Sequence, residues 1–341
     1  MWFSRFREIG RAVGQAQRFR VIVGVFLKYG YDDIAVKLPL TGMWRWLPTR
    51  RFRREQAALA TLPRSERLRR AFEELGPAFV KLGQLLAGRT RLLPRDYIAE
   101  LTKLQDRVPP VPFAEVEAVL AEELRRPSGE CFSRIDATPL GSASIAQVHR
   151  AWLSDGADAV IKVQRPHIER TVRTDLEIMG RLAELLEHHV EGWAAHQPTA
   201  IVAEFTRRME QELDFSSEVA GMERFARQFT DNPTVRVPRV YRPLSTRRML
   251  TMERIDGIPA TQLAALDAAG LDRAEIARRL ADLTLRQIFV HGFFHADPHP
   301  GNVHILPGNE VFFLEFGMTG FLIHEQRDAL GALPVASAQR D

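Results

Sequence analysis

Apolar side chains recur at helical intervals over the first third of the chain. Val21, Val25 and Lys28 follow a helical period, with Phe19 and Phe26 seven residues apart, and Leu68, Phe72 and Leu75 line one face of a later helix. Gly76-Pro77 stops and restarts that helix, and Pro109, Pro110 and Pro112 halt the chain before another helix at about 114–126. Near residue 130 the period changes to alternation. Phe132, Ile135 and Thr138 lead through a turn of small residues to Val148, Ala151 and Trp152, and residues 159–163 form a short β-branched strand. Two helical patterns follow, at about 168–190 and 199–228. Strands are expected over 235–240 and 248–252, then helices over 260–269 and 273–291. A polar, turn-rich loop, 292–302, then sits between two apolar runs, the second opening with Val303 and Ile305. Helical blocks around a run of short strands predict an α+β protein.

Composition narrows this little. With 341 residues, 45% hydrophobic and 26% charged, the chain is a folded protein of one large or two ordinary domains. Its single cysteine, Cys131, allows no internal disulfide and reads as a small packed residue in a reducing compartment.

Charge says more. Residues 1–70 hold 16 Lys and Arg against 5 Asp and Glu, so a net +11 sits in front of a −7 remainder. That segment also carries Trp2, Phe3, Phe6, Phe19, Phe26, Trp44 and Trp46. One reading is an interfacial amphipathic helix on an anionic membrane; the other is a helix packed on the protein with a solvated basic face. No nucleic-acid partner is expected, because no nucleic-acid module accompanies the charge. The longest apolar run near the start, Val21 to Leu27, falls far short of the ~20 residues of a membrane span and is not followed by a cleavage site.

The candidate chemistry centres on 292–302. Two prolines and a glycine pin a loop holding Asp297 and Asn302, at the spacing of a phosphoryl-transfer loop in which the Asp orients the hydroxyl proton and the Asn ligates Mg²⁺. Thirteen positions later comes Glu315-Phe316-Gly317. Upstream, a turn of small residues, Gly141-Ser142-Ala143-Ser144-Ile145-Ala146-Gln147, is of the kind that lets backbone approach a phosphate. Lys162 follows on a strand, where it would hold the α/β-phosphates if a carboxylate steadied its ammonium. Glu212, Asp214 and Glu218 lie on the second long helical pattern, and Lys81 and Gln84 sit inside an apolar helix, where burial requires partners.

His-Ala-Asp-Pro-His-Pro-Gly-Asn at 295–302, Lys-x-Gly-Gln at 81–84, the loop at 139–147 and Glu-Leu-Asp-Phe-x-x-Glu at 212–218 resemble the UbiB-type (aarF-domain) atypical kinase family, over about residues 70–320. The resemblance implies a two-lobed protein-kinase-like fold with an amino-terminal helical extension, tied to ubiquinone biosynthesis at a membrane. The implied parts are a basic amphipathic extension (1–64), a helical Lys-x-Gly-Gln segment (65–127), an N-lobe (128–258) and a partial C-lobe (259–341). The implied cofactors are ATP or ADP and Mg²⁺. Asp297 and Lys162 would be catalytic, and Asn302 and Glu315 would hold the metal. Gly141, Ser142, Ala143 and Ser144 would close over the phosphates. Glu218 would pair with Lys162, and Glu212 and Asp214 would meet Lys81, with Gln84 facing the nucleotide. Thr251 to Gly257 would be the hinge, its backbone around Glu253 free for adenine. Partners would be an anionic membrane surface or quinone-like lipid and a biosynthetic complex, on the cytoplasmic side of the inner membrane.

This sequence departs from the family pattern in several places. Glu315 stands where the metal-binding Asp is usual, Gly141 replaces an Ala, Arg91 an Asp, and Gly221 an Asn. The chain stops 24 residues after Gly317, so the C-lobe is expected to be truncated. Glu315 and that ending favour a rival in the same fold, a nucleotide-binding scaffold without turnover. A metal hydrolase built on His291, His295, Asp297 and His299 is a second rival, but a Pro-broken loop denies it helical ligand geometry. A small-molecule phosphotransferase of the aminoglycoside type leaves Lys81 to Gln84 unexplained.

Overall fold

The computed structural model describes residues 2–32, 50–89, 92–104, 108–296, 298 and 300–338. Its helices in chain order are α1 (Trp2–Lys28), α2 (Arg50–Leu59), α3 (Arg64–Leu75), α4 (Pro77–Ala87), α5 (Arg95–Leu101), α6 (Phe113–Leu124), α7 (Ile168–His189), α8 (Pro198–Glu212), α9 (Phe215–Gln228), α10 (Leu263–Ala268), α11 (Arg273–Leu285) and α12 (His324–Ala338). The strands are β1 (Phe132–Ile135), β2 (Gly141–Ser142), β3 (Ala146–Leu153), β4 (Asp158–Gln164), β5 (Val235–Arg236), β6 (Met249–Glu253), β7 (Ile258–Pro259), β8 (Phe293–His295), β9 (Val303–Leu306), β10 (Glu310–Phe313) and β11 (Thr319–Phe321). They fall into two compact units. The first comprises Met1–Pro110, Ser142–Ala146 and Arg165–Glu210; the second comprises Val111–Gly141, Gln147–Gln164 and Gln211–Asp341.

The first unit is helical. The later half of α1 buries Ile22, Val23, Val25 and Leu27, and the Phe26 ring meets Phe72 and Phe79 at 6.3 and 6.2 Å between centroids. Arg18 grips the buried Asp175 of α7 through two hydrogen bonds, 2.6 and 2.8 Å, and donates another to the Leu75 carbonyl. Of the two readings of the basic segment, the packed helix describes residues 18–31: the apolar face is covered by the protein itself, while Arg20 and Val21, the latter 47% exposed, face outward. Trp44 and Trp46 lie outside the described residues. The restart at Gly76-Pro77 is present, with Pro77 at the first position of α4, where its missing N–H costs nothing. Within the Lys-x-Gly-Gln motif, Gly83 is a point of close approach. A Cβ there would come within 2.3 Å of Leu104 and 2.8 Å of Phe72, so α4 seats against both only because the residue has no side chain.

The second unit is built on strands. Its main sheet runs β1-β3-β4-β6, with β2 also paired to β3; β1 and β3 are antiparallel, as are β4 and β6, where Lys162 lies opposite Leu250. One face packs on α6: Val116, Val119 and Leu120 meet Phe132, Ala151, Leu153, Ile161, Val163 and Met249. Cys131 is buried in the same core, in the packed role expected for it. A second sheet runs β5-β10-β9-β7, and β8 pairs with β11.

Two expected elements differ. The helix over 199–228 is two helices, because Asp214 leaves helical geometry (φ −130°, ψ 93°) and its carboxylate accepts the Ser216 N–H at 3.0 Å. Asp is among the strongest N-caps, and here that local bond outweighs continued helix. Asp214 and Glu218 therefore do not share a face as an i, i+4 pair of one long helix. The strand over 235–240 shrinks to Val235–Arg236, with Val240 making only an isolated bridge to Met252; Pro238 between them has no N–H to donate. Among the described residues no helix is long and apolar enough to cross a membrane.

Candidate active site

Three segments of the second unit converge on one ammonium. Lys162 projects from β4, and its Nζ donates to Glu218 Oε2 and to Glu315 Oε1, each at 2.9 Å. Glu218 lies one turn into α9, which the Asp214 cap starts; Gln164 Nε2 donates to the Leu213 carbonyl at 2.8 Å, stitching that start to the end of β4. The Lys162 ammonium also sits 5.1 Å from the centre of the Phe215 ring.

The two carboxylates are not equivalent. Glu218 is 5% exposed at its side chain and Glu315 is 50% exposed. Burial alone would lower the Lys162 pKa, but the two carboxylates outweigh it and hold the pKa above the ordinary lysine value. Glu218 uses its second oxygen, Oε1, to accept the Phe316 N–H at 3.1 Å. One buried carboxylate thus joins the β4 lysine to the Glu-Phe-Gly segment.

That segment is anchored from the other side. Phe316 is 1% exposed, packed on Phe225 (5.2 Å) and His295 (5.7 Å). The His295 ring stacks on Phe313 at 4.7 Å, and its Nε2 bonds the Glu315 carbonyl at 2.6 Å. The His295 N–H in turn donates to Oε1 of the buried Gln287, at 2.7 Å. This ring is therefore part of an aromatic core rather than a metal ligand, which removes a member of the hydrolase set. His299 lies outside the described residues, and among the described residues no group of three or more His, Cys, Asp or Glu is arranged to hold a metal.

The catalytic-type loop is held at both ends by backbone. Arg286–His291 widens into a π-helical turn rather than continuing as α-helix, and Gly292 ends it at φ +62°. A Cβ at Gly292 would sit 2.8 Å from the Leu322 carbonyl, so both conformation and space require glycine there. Ala296 N–H then donates to the Met318 carbonyl, and Leu314 N–H to the Asn302 carbonyl, both at 2.9 Å. The second bond sets Asn302 beside the residue preceding Glu315. Asp297 and Arg91 lie outside the described residues.

The other expected site residues fall as follows. Gln84 Nε2 donates to the Leu104 carbonyl at 3.2 Å, and Lys81 is half-buried on the same helix. Glu212 ends α8. Asp214, besides capping α9, lies 3.8 Å from Arg247. Gly141 ends in short strand β2 with Ser142, and the turn beyond it closes through Ala143 N–H to the Ala146 carbonyl, 2.9 Å, so that amide serves the turn itself. The backbone at the expected hinge is less free than its sequence implies: Glu253 N–H donates to the Arg239 carbonyl (2.8 Å) and Arg254 N–H to Asp158 (3.2 Å). The Glu253 carboxylate takes Arg236 and the Arg239 N–H. Gly221 stands against the Phe316 carbonyl and Thr319, close to where a Cβ would press on Thr319 at 3.3 Å.

Residues 103–341 match the ABC1 atypical kinase-like domain. The chain belongs to the ABC1 atypical kinase-like family. "Probable protein kinase UbiB" of Cellvibrio japonicus is 39% identical over 289 residues, covering 84% of this chain and 51% of that protein. The protein of the same name from Azotobacter vinelandii is 36% identical over 339 residues, covering 95% of this chain and 62% of that one. This ABC1 chain thus spans between about half and two thirds of the length of such relatives. Among solved structures, Rv3197 of Mycobacterium tuberculosis, determined as a complex with erythromycin, aligns with a TM-score of 0.56 at 31% identity, covering 75% of this chain and 63% of that one. The fold is accordingly the α+β, kinase-like fold of the ABC1 family.

Proposed function

We propose that this ABC1 chain binds Mg-ATP and acts as a phosphotransferase or ATPase supporting ubiquinone biosynthesis at a membrane. The observation that carries the reading is the Lys162 ammonium held by Glu218, whose other oxygen fixes Phe316. A lysine oriented in this way, with its charge kept by a buried carboxylate, is what a nucleotide's α/β-phosphates require. Asp297 would accept or orient the proton of the attacking hydroxyl or water. Asn302 and Glu315 supply amide and carboxylate oxygens, the donor type that suits Mg²⁺, and a bound Mg²⁺ would neutralise phosphate charge there. Gly141, Ser142, Ala143 and Ser144 would line the phosphates, with the segment around Glu253 taking adenine. Lys81, Gln84, Glu212 and Asp214 would close the site, with Lys81 paired to the two acids.

Relatives named UbiB support the assignment to quinone-lipid synthesis. Arginine-rich residues 1–70 would meet an anionic membrane surface, a quinone-like lipid or a biosynthetic complex, on the cytoplasmic side of the inner membrane. Calorimetry with Mg-ATP, and hydrolysis assays with and without anionic liposomes, test this. Saturable binding, with turnover lost in Asp297→Asn, is the expected result; no nucleotide binding by the unaltered chain would defeat the reading.

One observation favours a second reading. Glu315 already sits on Lys162 at 2.9 Å, so the carboxylate assigned to metal is spent on the ammonium. In this reading the chain is a nucleotide-binding scaffold. ATP binding with turnover no greater than that of Asp297→Asn is its signature.

A further inference from the structure

The guanidinium of Arg165, one residue beyond β4, lies where two stretches of the first unit meet. Its Nε donates to the Ala143 carbonyl at 2.8 Å, and its Nη2 to the Ser142 hydroxyl at 2.7 Å. The same Nη2 reaches the Pro109 carbonyl at 2.8 Å and the Val108 carbonyl at 3.4 Å. The Arg165 N–H donates to the Ile145 carbonyl at 2.8 Å, and Val108 N–H to the Ser142 carbonyl at 3.4 Å. One side chain and its own backbone therefore hold residues 142, 143 and 145 and tie them to 108–109. Residues 108–109 lead from the Lys-x-Gly-Gln segment into the rest of the chain.

Several oxygens facing one another repel, and a cation among them removes that repulsion. Only arginine suits this place. Its planar fork presents N–H groups in two directions at once and stays charged at every physiological pH, whereas a lysine has one point charge and would serve one side. A loop shaped by its own protein before ligand arrives gives up less conformational freedom on binding.

We propose that Arg165 is the positioning residue of the 142–146 loop, setting the shape in which that loop receives the phosphates of a nucleotide. The inference rests on the nucleotide reading above. Arg165 touches carbonyl oxygens and a hydroxyl of the loop and acts through them, not on the reacting atoms.

The test compares two probes on the full chain, Mg-ATP and adenosine, which lacks the phosphates. Arg165→Ala is expected to weaken Mg-ATP binding about tenfold, equivalent to ~1.4 kcal/mol, and to leave adenosine affinity unchanged. Arg165→Lys is expected to recover part of the loss. Amide hydrogen exchange at Val108 and Ala143 is expected to quicken in Arg165→Ala. Equal loss for both probes would reduce Arg165 to a general structural role and overturn the inference, as would unchanged Mg-ATP affinity. If the unaltered chain binds adenosine but not Mg-ATP, or neither, the nucleotide-phosphate reading falls and takes this inference with it. Should Arg165→Ala not fold, Arg165→Gln, which keeps a donor but loses the charge, decides by the same ratio.

Discussion

The Glu218 carboxylate lies 2.9 Å from the Lys162 ammonium, although 56 positions separate them along the chain. With Glu218 buried and Lys162 nearly so, this pair is desolvated, and its value lies in both partners being present. Removing the acid alone takes away the ammonium's buried partner, leaving it the half-exposed Glu315, and leaves the Phe316 N–H unmatched.

Glu218→Ala is therefore expected to lower stability by about 3 kcal/mol, of the order seen when a buried pair loses one member. Glu218→Gln, which can still accept from Phe316, is expected to lose less. Urea unfolding of the three proteins checks both. Because the Lys162 pKa is raised, the pair's contribution is full below the ordinary lysine pKa and declines only as pH rises through the folded value. The difference between wild type and Glu218→Ala should thus be the same at neutral and mildly alkaline pH.

Glu315→Asp shortens the side chain by one methylene, about 1.5 Å of reach, so that its carboxylate falls short of Lys162 while Glu218 keeps its bond. Since Glu315 is half exposed, the melting temperature should barely move. On the proposed reading, Mg²⁺-dependent nucleotide affinity should rise, because the ammonium and the carboxylate proposed to hold the metal are no longer spent on each other. A titration of nucleotide with and without Mg²⁺ decides it; a fall in affinity would show that Glu315 is the better ligand.

Gln147 and His149, both 1% exposed, form a buried polar pair whose orientations are fixed by chemistry. The Val111 N–H needs an acceptor, so Gln147 Oε1 faces it and Nε2 faces His149 Nε2. That nitrogen then accepts, leaving His149 Nδ1–H to donate to the Asp136 carbonyl at 2.8 Å. Gln147→Ala would leave a buried N–H and a buried ring nitrogen unmatched, at a cost of roughly 2 kcal/mol by denaturant unfolding. A neutral outcome would mean water takes the amide's place.

Acid should weaken the second unit through His304. Burial lowers its pKa, and the bond from its ring to the Gly257 carbonyl, 3.0 Å, offsets this only in part. His291 is lowered as well, by burial and by Arg286. A folded pKa below the unfolded value, about 6.5, means that stability is complete above that pH and falls as pH drops toward the folded value. Unfolding free energy should be lower at about pH 5.5 than at about 7.5, and His304→Asn with His291→Asn should shrink the difference. An unchanged pH dependence in the double variant would place the effect elsewhere.

Much of this was legible in the residues. Alternation around Lys162 and helical spacing around Glu218 pointed to a strand and a helix, while the choice of Glu218 among the nearby acids as the partner of Lys162 came from the family resemblance. The break before α9 was not legible, since Asp214 reads equally as a mid-helix acid or as a cap; only its dihedral angles decide. Likewise His295 read as a loop residue of the 295–302 motif and a candidate N ligand. Its place in the aromatic core depends on Phe313 and Phe316, and the distance between them in space is not written in their spacing. Arg165 carried no signal beyond an arginine before a proline, because its contacts are carbonyl oxygens, which every residue has.

The bonds from Ala296 to Met318 and from Leu314 to Asn302 run between peptide groups alone. Substitutions that leave those peptide groups in place do not erase them. Position 315 can therefore take another side chain while the peptide frame that presents it stays in place. The scaffold of this segment is thus separable from whatever chemistry any one side chain brings to it.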